Sequence, residues 1–210
     1  MNLPGLACVA SVGVLLVAEV RGAQGLKAIS KTTAAAMMIL SAVVAGASAT
    51  TMGRRVLLGL SLSAGGDVAL LSKARPAFLL GLFLFLLAHL AYAAAALAHG
   101  LSAAIAIGLA LALVVPARAV WKWLSPHVPD SMRIPVLAYT VVITAMVAMA
   151  VAATIAGASP RLAVGALLFY ASDLAVARER FVVGSVINRL LGLPAYFGGQ
   201  LLIASAVAID

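Results

Sequence analysis

The chain has 210 residues, of which 65% are hydrophobic and only 10% charged, with a mean hydropathy of +1.18, whereas soluble domains carry about 25% charged and about 45–50% apolar residues. Apolar runs of about 18 to 22 residues follow one another, long enough to cross hydrocarbon, so lipid is the solvent and the predicted fold class is an all-α polytopic transmembrane bundle. The net charge of +8 comes from basic residues set singly or in pairs between the apolar runs and not along one face, which excludes a nucleic-acid surface and marks them as topology signals.

Charges, Pro and Gly divide the chain into eight predicted spans, at about 3–20, 29–47, 54–72, 77–98, 101–117, 134–156, 161–177 and 191–208. Connections are short throughout, so residues 1–210 read as a single transmembrane domain. The first span lacks a basic segment before it and reads as a retained helix, not a cleaved signal. It holds the one cysteine, Cys8, so neither an internal disulfide nor a thiolate metal cluster can form and a packing role is expected. Glu19 near its end is expected to pair with Arg21. Lys27 and Lys31, four apart at the start of span 2, share a face and either snorkel to the interface or meet a lipid phosphate.

Span 3 contains GLSLSAGGDVALL, with Asp67 six residues before Lys73, which places the carboxylate about 9 Å inside the boundary at about 1.5 Å per residue. Ser63 lies one turn earlier, and the Gly65–Gly66 pair reads as a close helix contact more readily than as a phosphate loop. Span 4, FLLGLFLFLLAHLAYAAAAL, puts His89 and Tyr92 three apart on one face. Either His89 carries a proton with Tyr92 orienting it, or it is a hydrogen-bonded structural histidine. The longest connection, WKWLSPHVPDSMRIP, is read as an interfacial anchor through Trp121 and Trp123, with its three prolines ending the helix. Tyr139 on span 6 and Gln200 on span 8 either line a shared cavity or join helices. Span 7, GALLFYASDLAVA, carries Ser172 and Asp173, the latter five residues before Arg178 and so at nearly the depth of Asp67.

Counting Lys and Arg tests the eight-span division: eleven fall on the side opposite the termini and three on the terminal side. The positive-inside rule then places the eleven in the cytoplasm and both termini outside, in a multi-pass protein of the cell membrane. Ionisable groups within such spans are costly enough that each should face the bundle interior and either pair or work. Were spans 3 and 7 neighbours, repulsion between Asp67 and Asp173 would divide them into a proton donor and a charged partner. The other reading is that each aspartate is held by Arg178, Lys73 or a Ser hydroxyl without chemistry. Nucleophile-elbow and HExxH patterns are missing, no HxxxH pair is present, and neither a metal nor any other cofactor is expected.

Taken together, GLSLSAGGDVALL, GLFLFLLAHLAY and GALLFYASDLAVARERF resemble the three signature helices of the lysoplasmalogenase (YhhN-like) membrane protein family. The matching positions are Gly66 with Asp67, His89 with Tyr92, and Ser172 with Asp173, followed by Phe181. Lys27 or Lys31 at the start of the second helix, and Tyr196 and Gln200 in the last, are also similar. The resemblance implies eight spans and hydrolysis of the vinyl-ether bond of a lysophospholipid within the membrane, to a fatty aldehyde and glycerophosphoethanolamine or glycerophosphocholine. It further implies that Asp67 and Asp173 share the acid and base roles, that His89 relays a proton or holds water, and that Tyr92 orients it. Ser63, Tyr139, Ser172 and Gln200 would line the substrate site, with Lys27, Lys31 and Arg178 at the phosphate. Two other functions stay open on the sequence: a proton-coupled carrier of lipids or small molecules, and a hydrolase of another lipid.

Overall fold

The computed structural model describes residues 1–207 and places eight long helices among them: α1 Leu3–Arg21, α2 Gln24–Val44, α3 Thr51–Ala69, α4 Arg75–His99, α5 Ala103–Leu124, α6 Asp130–Ile155, α7 Pro160–Ala177 and α8 Val186–Ser205. Their starts follow local chemistry. Pro4, Pro76 and Pro160 sit in first turns, where a missing N–H costs no hydrogen bond. Thr50, Ser102 and Ser185 accept from backbone N–H groups as caps of α3, α5 and α8. Gly22 closes α1 at φ 67°, the left-handed conformation that glycine adopts without strain.

The eight helices correspond to the eight predicted spans, and two boundaries differ instructively. Helix α5 runs through Trp121 and Trp123 to Leu124, and α6 starts at Asp130, so only Pro126 and Pro129 break the chain. Pro135 lies inside α6. Helix α7 likewise continues past Ala177 as a π-helical turn, Arg178–Val182. Six stretches are long and apolar enough to cross a membrane by length and composition: α1, α2, α4, α5 on to His127, α6, and α7 on to Val182. Helix α3, which carries Arg54, Arg55, Ser63 and Asp67, falls short of that measure, as does α8, which carries Asn188, Arg189 and Gln200.

Neighbouring helices close a ring in the order α1, α2, α3, α4, α6, α7, α8 and back to α1, while α8 also touches α2 and α3. Helix α5 packs on the outside of α6 with only Leu124 buried; Leu111 and Val115 face outward, as lipid-facing positions should. Cys8 is fully buried in the common core, in keeping with a packing role. Small residues bring backbones together. A Cβ on Gly165 of α7 would lie 2.6 Å from the Gly199 carbonyl oxygen of α8, and one on Gly199 would lie 2.8 Å from the Gly165 carbonyl oxygen.

Backbone atoms cannot retreat as a side-chain tip can, so Gly165→Ala is expected to cost about 1–3 kcal/mol. Gly108→Ala on α5, where a Cβ would meet nothing within 4 Å, should be neutral or stabilising, by up to about 1 kcal/mol. Denaturant unfolding in detergent compares the two directly.

Candidate active site

One end of the ring, where α1, α3 and α7 finish and α2, α4 and α8 begin, encloses a cavity of about 450 Å³, within the range of about 300–1,000 Å³ found for small-ligand sites. Of the chain's six acidic residues, four line it: Glu19, Asp67, Asp173 and Glu179. Such a concentration in an apolar protein requires partners for every charge, and the helices supply them.

Asp67 is 3% exposed. Its Oδ1 lies 3.0 Å from Lys31 Nζ, and its Oδ2 accepts the Tyr196 hydroxyl at 2.6 Å. Lys31 also donates to the Asp67 backbone carbonyl at 3.4 Å. It is itself buried, so it does not snorkel. Three helices therefore meet at one carboxylate, with a cation from α2 and a hydroxyl from α8 compensating its removal from water.

Asp173 is held differently. Its Oδ2 accepts the Tyr139 hydroxyl at 2.7 Å and lies 3.0 Å from His89 Nε2, which is also 2.9 Å from the Tyr139 oxygen. With the phenolic proton given to Asp173, both oxygens near Nε2 are acceptors, so the network assigns the imidazole proton to Nε2. His89 is fully buried and stacks edge-on against Phe169 at a centroid distance of 4.5 Å. It does not line the cavity, whereas Asp173, with 17% of its side chain exposed, does. His89 thus stands behind Asp173.

Helices α3 and α7 do not pack as neighbours; they face each other across the cavity, each aspartate with its own partners. The two carboxylates therefore differ in their partners, Lys31 and Tyr196 against His89 and Tyr139. Phe85 of α4 touches Phe169 and abuts Gly66, and so bridges the helices that carry the two carboxylates. Among the described residues, neither Arg178, Lys73 nor a serine holds Asp67 or Asp173.

Other expected residues fall elsewhere. Tyr92 does not orient His89: its hydroxyl donates to Gln200 Oε1 at 2.6 Å, and Gln200 Nε2 donates to Ser63 Oγ at 3.0 Å. Tyr92, Gln200 and Ser63 form a buried polar layer deeper in the bundle and do not line the cavity. Tyr139 and Ser172 do line it, although the Ser172 hydroxyl bonds back to the Phe169 carbonyl. Arg178 turns to Asn188 Oδ1 at 2.6 Å and stays outside the cavity.

At the mouth Glu19 pairs not with Arg21, since residues two apart on a helix do not face each other, but with Lys27 at 2.7 Å and Arg189 Nε at 2.9 Å. Arg189 also pairs with Glu179. Glu179 further accepts from the Ser185 amide at 2.7 Å and Asn188 Nδ2 at 2.9 Å. Sequence reasoning passed over Glu179, Asn188 and Arg189; the scarcity of acids in the chain was the available signal. Among the described residues no group of three His, Cys, Asp or Glu side chains converges as a metal site.

The chain matches the model of the YhhN family over residues 26–207. It is similar to proteins named "Lysoplasmalogenase" from Mycobacterium bovis (strain ATCC BAA-935 / AF2122/97) and Mycobacterium tuberculosis (strain CDC 1551 / Oshkosh), each 37% identical over 185 residues, covering 81% of this chain and 67% of the relative. "Lysoplasmalogenase TMEM86A" from Bos taurus is 30% identical over 156 residues, covering 71% of this chain and 63% of the relative. No solved structure matches.

Removing one partner of a buried pair leaves an uncompensated charge, so Lys31→Met should destabilise the protein by about 3–5 kcal/mol. The double variant Lys31→Met with Asp67→Asn should recover most of that loss. Unfolding free energies of the wild type, both single variants and the double variant test the coupling.

Proposed function

The chain belongs to the YhhN family, and on that premise we propose that it is a membrane-embedded hydrolase that cleaves the vinyl-ether bond of lysoplasmalogens by acid catalysis from Asp173. The observation that carries this reading is an aspartate presented to a lipid-sized cavity, backed by a buried histidine and tyrosine and facing a second aspartate already paired with a lysine. The names of its relatives support the substrate class.

Vinyl-ether hydrolysis begins with proton transfer to the β-carbon, which leaves an oxocarbenium ion, so it needs a positioned acid and a nearby anion. Both Tyr139 and His89 engage Oδ2 of Asp173, which leaves Oδ1 to present a proton to the cavity. As that proton leaves, the two hydrogen bonds stabilise the new carboxylate. Water adds to the oxocarbenium carbon and returns a proton to Asp173. The resulting hemiacetal breaks its C–O bond, passing its hydroxyl proton to the departing glycerol oxygen, to give aldehyde and alcohol. One water is consumed. Asp67, fixed by Lys31 and Tyr196, faces the developing positive charge from the opposite wall. His89 acts through Asp173 as its positioning residue.

On the same reading the cavity opens at the cytoplasmic face of the cell membrane; the support is its mouth at the basic end of the bundle and the eleven-to-three distribution of Lys and Arg, which favours both termini outside.

In purified protein assayed for aldehyde release from lysoplasmenylethanolamine, Asp173→Asn should lower kcat by about 10²–10⁴-fold. Asp67→Asn should also reduce it. Full activity in both variants would remove the aspartates from the chemistry. Turnover of saturated lysolipids at an equal rate would reassign the substrate.

A further inference from the structure

The cations around the cavity divide into two kinds. Lys27, Lys31 and Arg189 are each committed to a carboxylate, through Glu19, Asp67 and the Glu19–Glu179 pair respectively. Lys73 and Arg180 also line the cavity, and among the described residues neither has an acidic partner or any side-chain hydrogen bond. Lys73 lies in the turn between α3 and α4, where the Ser72 hydroxyl accepts from the Ala74 amide at 3.2 Å and folds the turn. Arg180 is on the π-helical turn after α7, with its guanidinium 4.3 Å from the centroid of the Phe78 ring. Phe78 is braced edge-on by Phe181 at 6.0 Å. An aromatic face holds a guanidinium in place without cancelling its charge. Two uncompensated cations from different segments, one of them pre-positioned, therefore flank an otherwise internally neutralised mouth.

We propose that Lys73 and Arg180 form an anion subsite that takes the phosphate of a single-chain glycerophospholipid, so that the cavity selects lipids with a phosphodiester headgroup over phosphate-free ones. This rests on the lysolipid reading above and adds to it the residues and the chemical group that set specificity. The position fits the substrate: Leu82, Val120 and Leu124 give the cavity an apolar flank for the chain, and the aspartates lie one to two helical turns deeper than Lys73, where the ether linkage would sit. It also replaces Lys27, Lys31 and Arg178 as the phosphate contacts, since all three are engaged within the protein. Both mouth carboxylates are likewise taken, Glu19 by Lys27 and Arg189, and Glu179 by Arg189, Asn188 and the Ser185 amide. Neither carboxylate at the cavity mouth is left to read a headgroup amine, so choline and ethanolamine forms should bind alike.

The test is a binding titration in phosphate-free detergent with two ligands that acid catalysis at a vinyl ether cannot cleave, 1-O-alkylglycerophosphocholine and 1-O-alkylglycerol. Wild-type protein should prefer the phosphate-bearing ligand by about tenfold or more, the scale of charge-assisted contacts. Lys73→Ala with Arg180→Ala should abolish that preference, and Lys73→Arg with Arg180→Lys should retain most of it. Thermal melts establish that each variant is folded, and Arg75→Ala, a cation outside the cavity, serves as the charge control. Inorganic phosphate at equal concentration should not displace the lipid. An unchanged preference in the double alanine variant, an equal loss in Arg75→Ala, displacement by inorganic phosphate alone, or a strong preference between choline and ethanolamine forms would overturn the proposal. Because binding needs no turnover, wild-type protein that keeps the phosphate preference but releases no aldehyde from the alkenyl lipid would overturn the hydrolase reading and leave the subsite standing.

Discussion

A carboxylate inside a bilayer must bring its partners with it, and the salt bridge between Asp67 of α3 and Lys31 of α2 shows how much of the architecture that requirement sets. To reach Asp67, the second helix has to start before Lys27 and carry Lys31 inward, while α8 has to approach closely enough for Tyr196 to donate its hydroxyl. That approach is what the small residues permit: α8 meets α7 where Gly199 lies against Gly165, and Gly66, beside Asp67, leaves room for the Phe85 ring. The apolar outer surface then needs no special arrangement, because lipid solvates it wherever it falls.

The two aspartates are identical side chains in different surroundings. Asp67 faces a cation, and its charge is compensated. Asp173 faces a histidine and a tyrosine that both bond to one oxygen and leave the other toward the cavity. The proposed function uses that difference, with a fixed anion on one wall and a supported proton donor on the other for protonation of an alkene carbon. It does so without a nucleophilic serine, and the buried layer of Tyr92, Gln200 and Ser63 adds packing and hydrogen bonds behind it.

Much of this was legible in the sequence. Eight apolar runs gave the helix number, and the rarity of intramembrane charge picked out Asp67, His89 and Asp173, because a long apolar run is a strong signal and an ionisable residue within it a stronger one. What spacing could not give was pairing across helices. His89 and Tyr92 share a helix face by count, yet His89 meets Tyr139 from α6 whereas Tyr92 lies over Gly59 and meets Gln200 from α8. Glu19 beside Arg21 suggested a local pair, and the partners came instead from α2 and α8. Prolines misled in a similar way: Pro135 reads as a stop and sits within α6, near its start. The pairing misses concern long-range contact, which a one-dimensional pattern does not encode.

The central claim is that an enzyme acid adds a proton to carbon. Carrying out the hydrolysis of an alkenyl lysolipid in D₂O, and reducing the aldehyde at once to the alcohol with an undeuterated hydride so that later exchange is stopped, reads that step directly. The account predicts one deuterium on the carbon next to the former aldehyde carbon. That deuterium should have a single configuration, because an acid held in the cavity adds it to one face of the alkene; deuterium of mixed configuration would contradict the account, because an enol released to solvent takes its deuterium on either face.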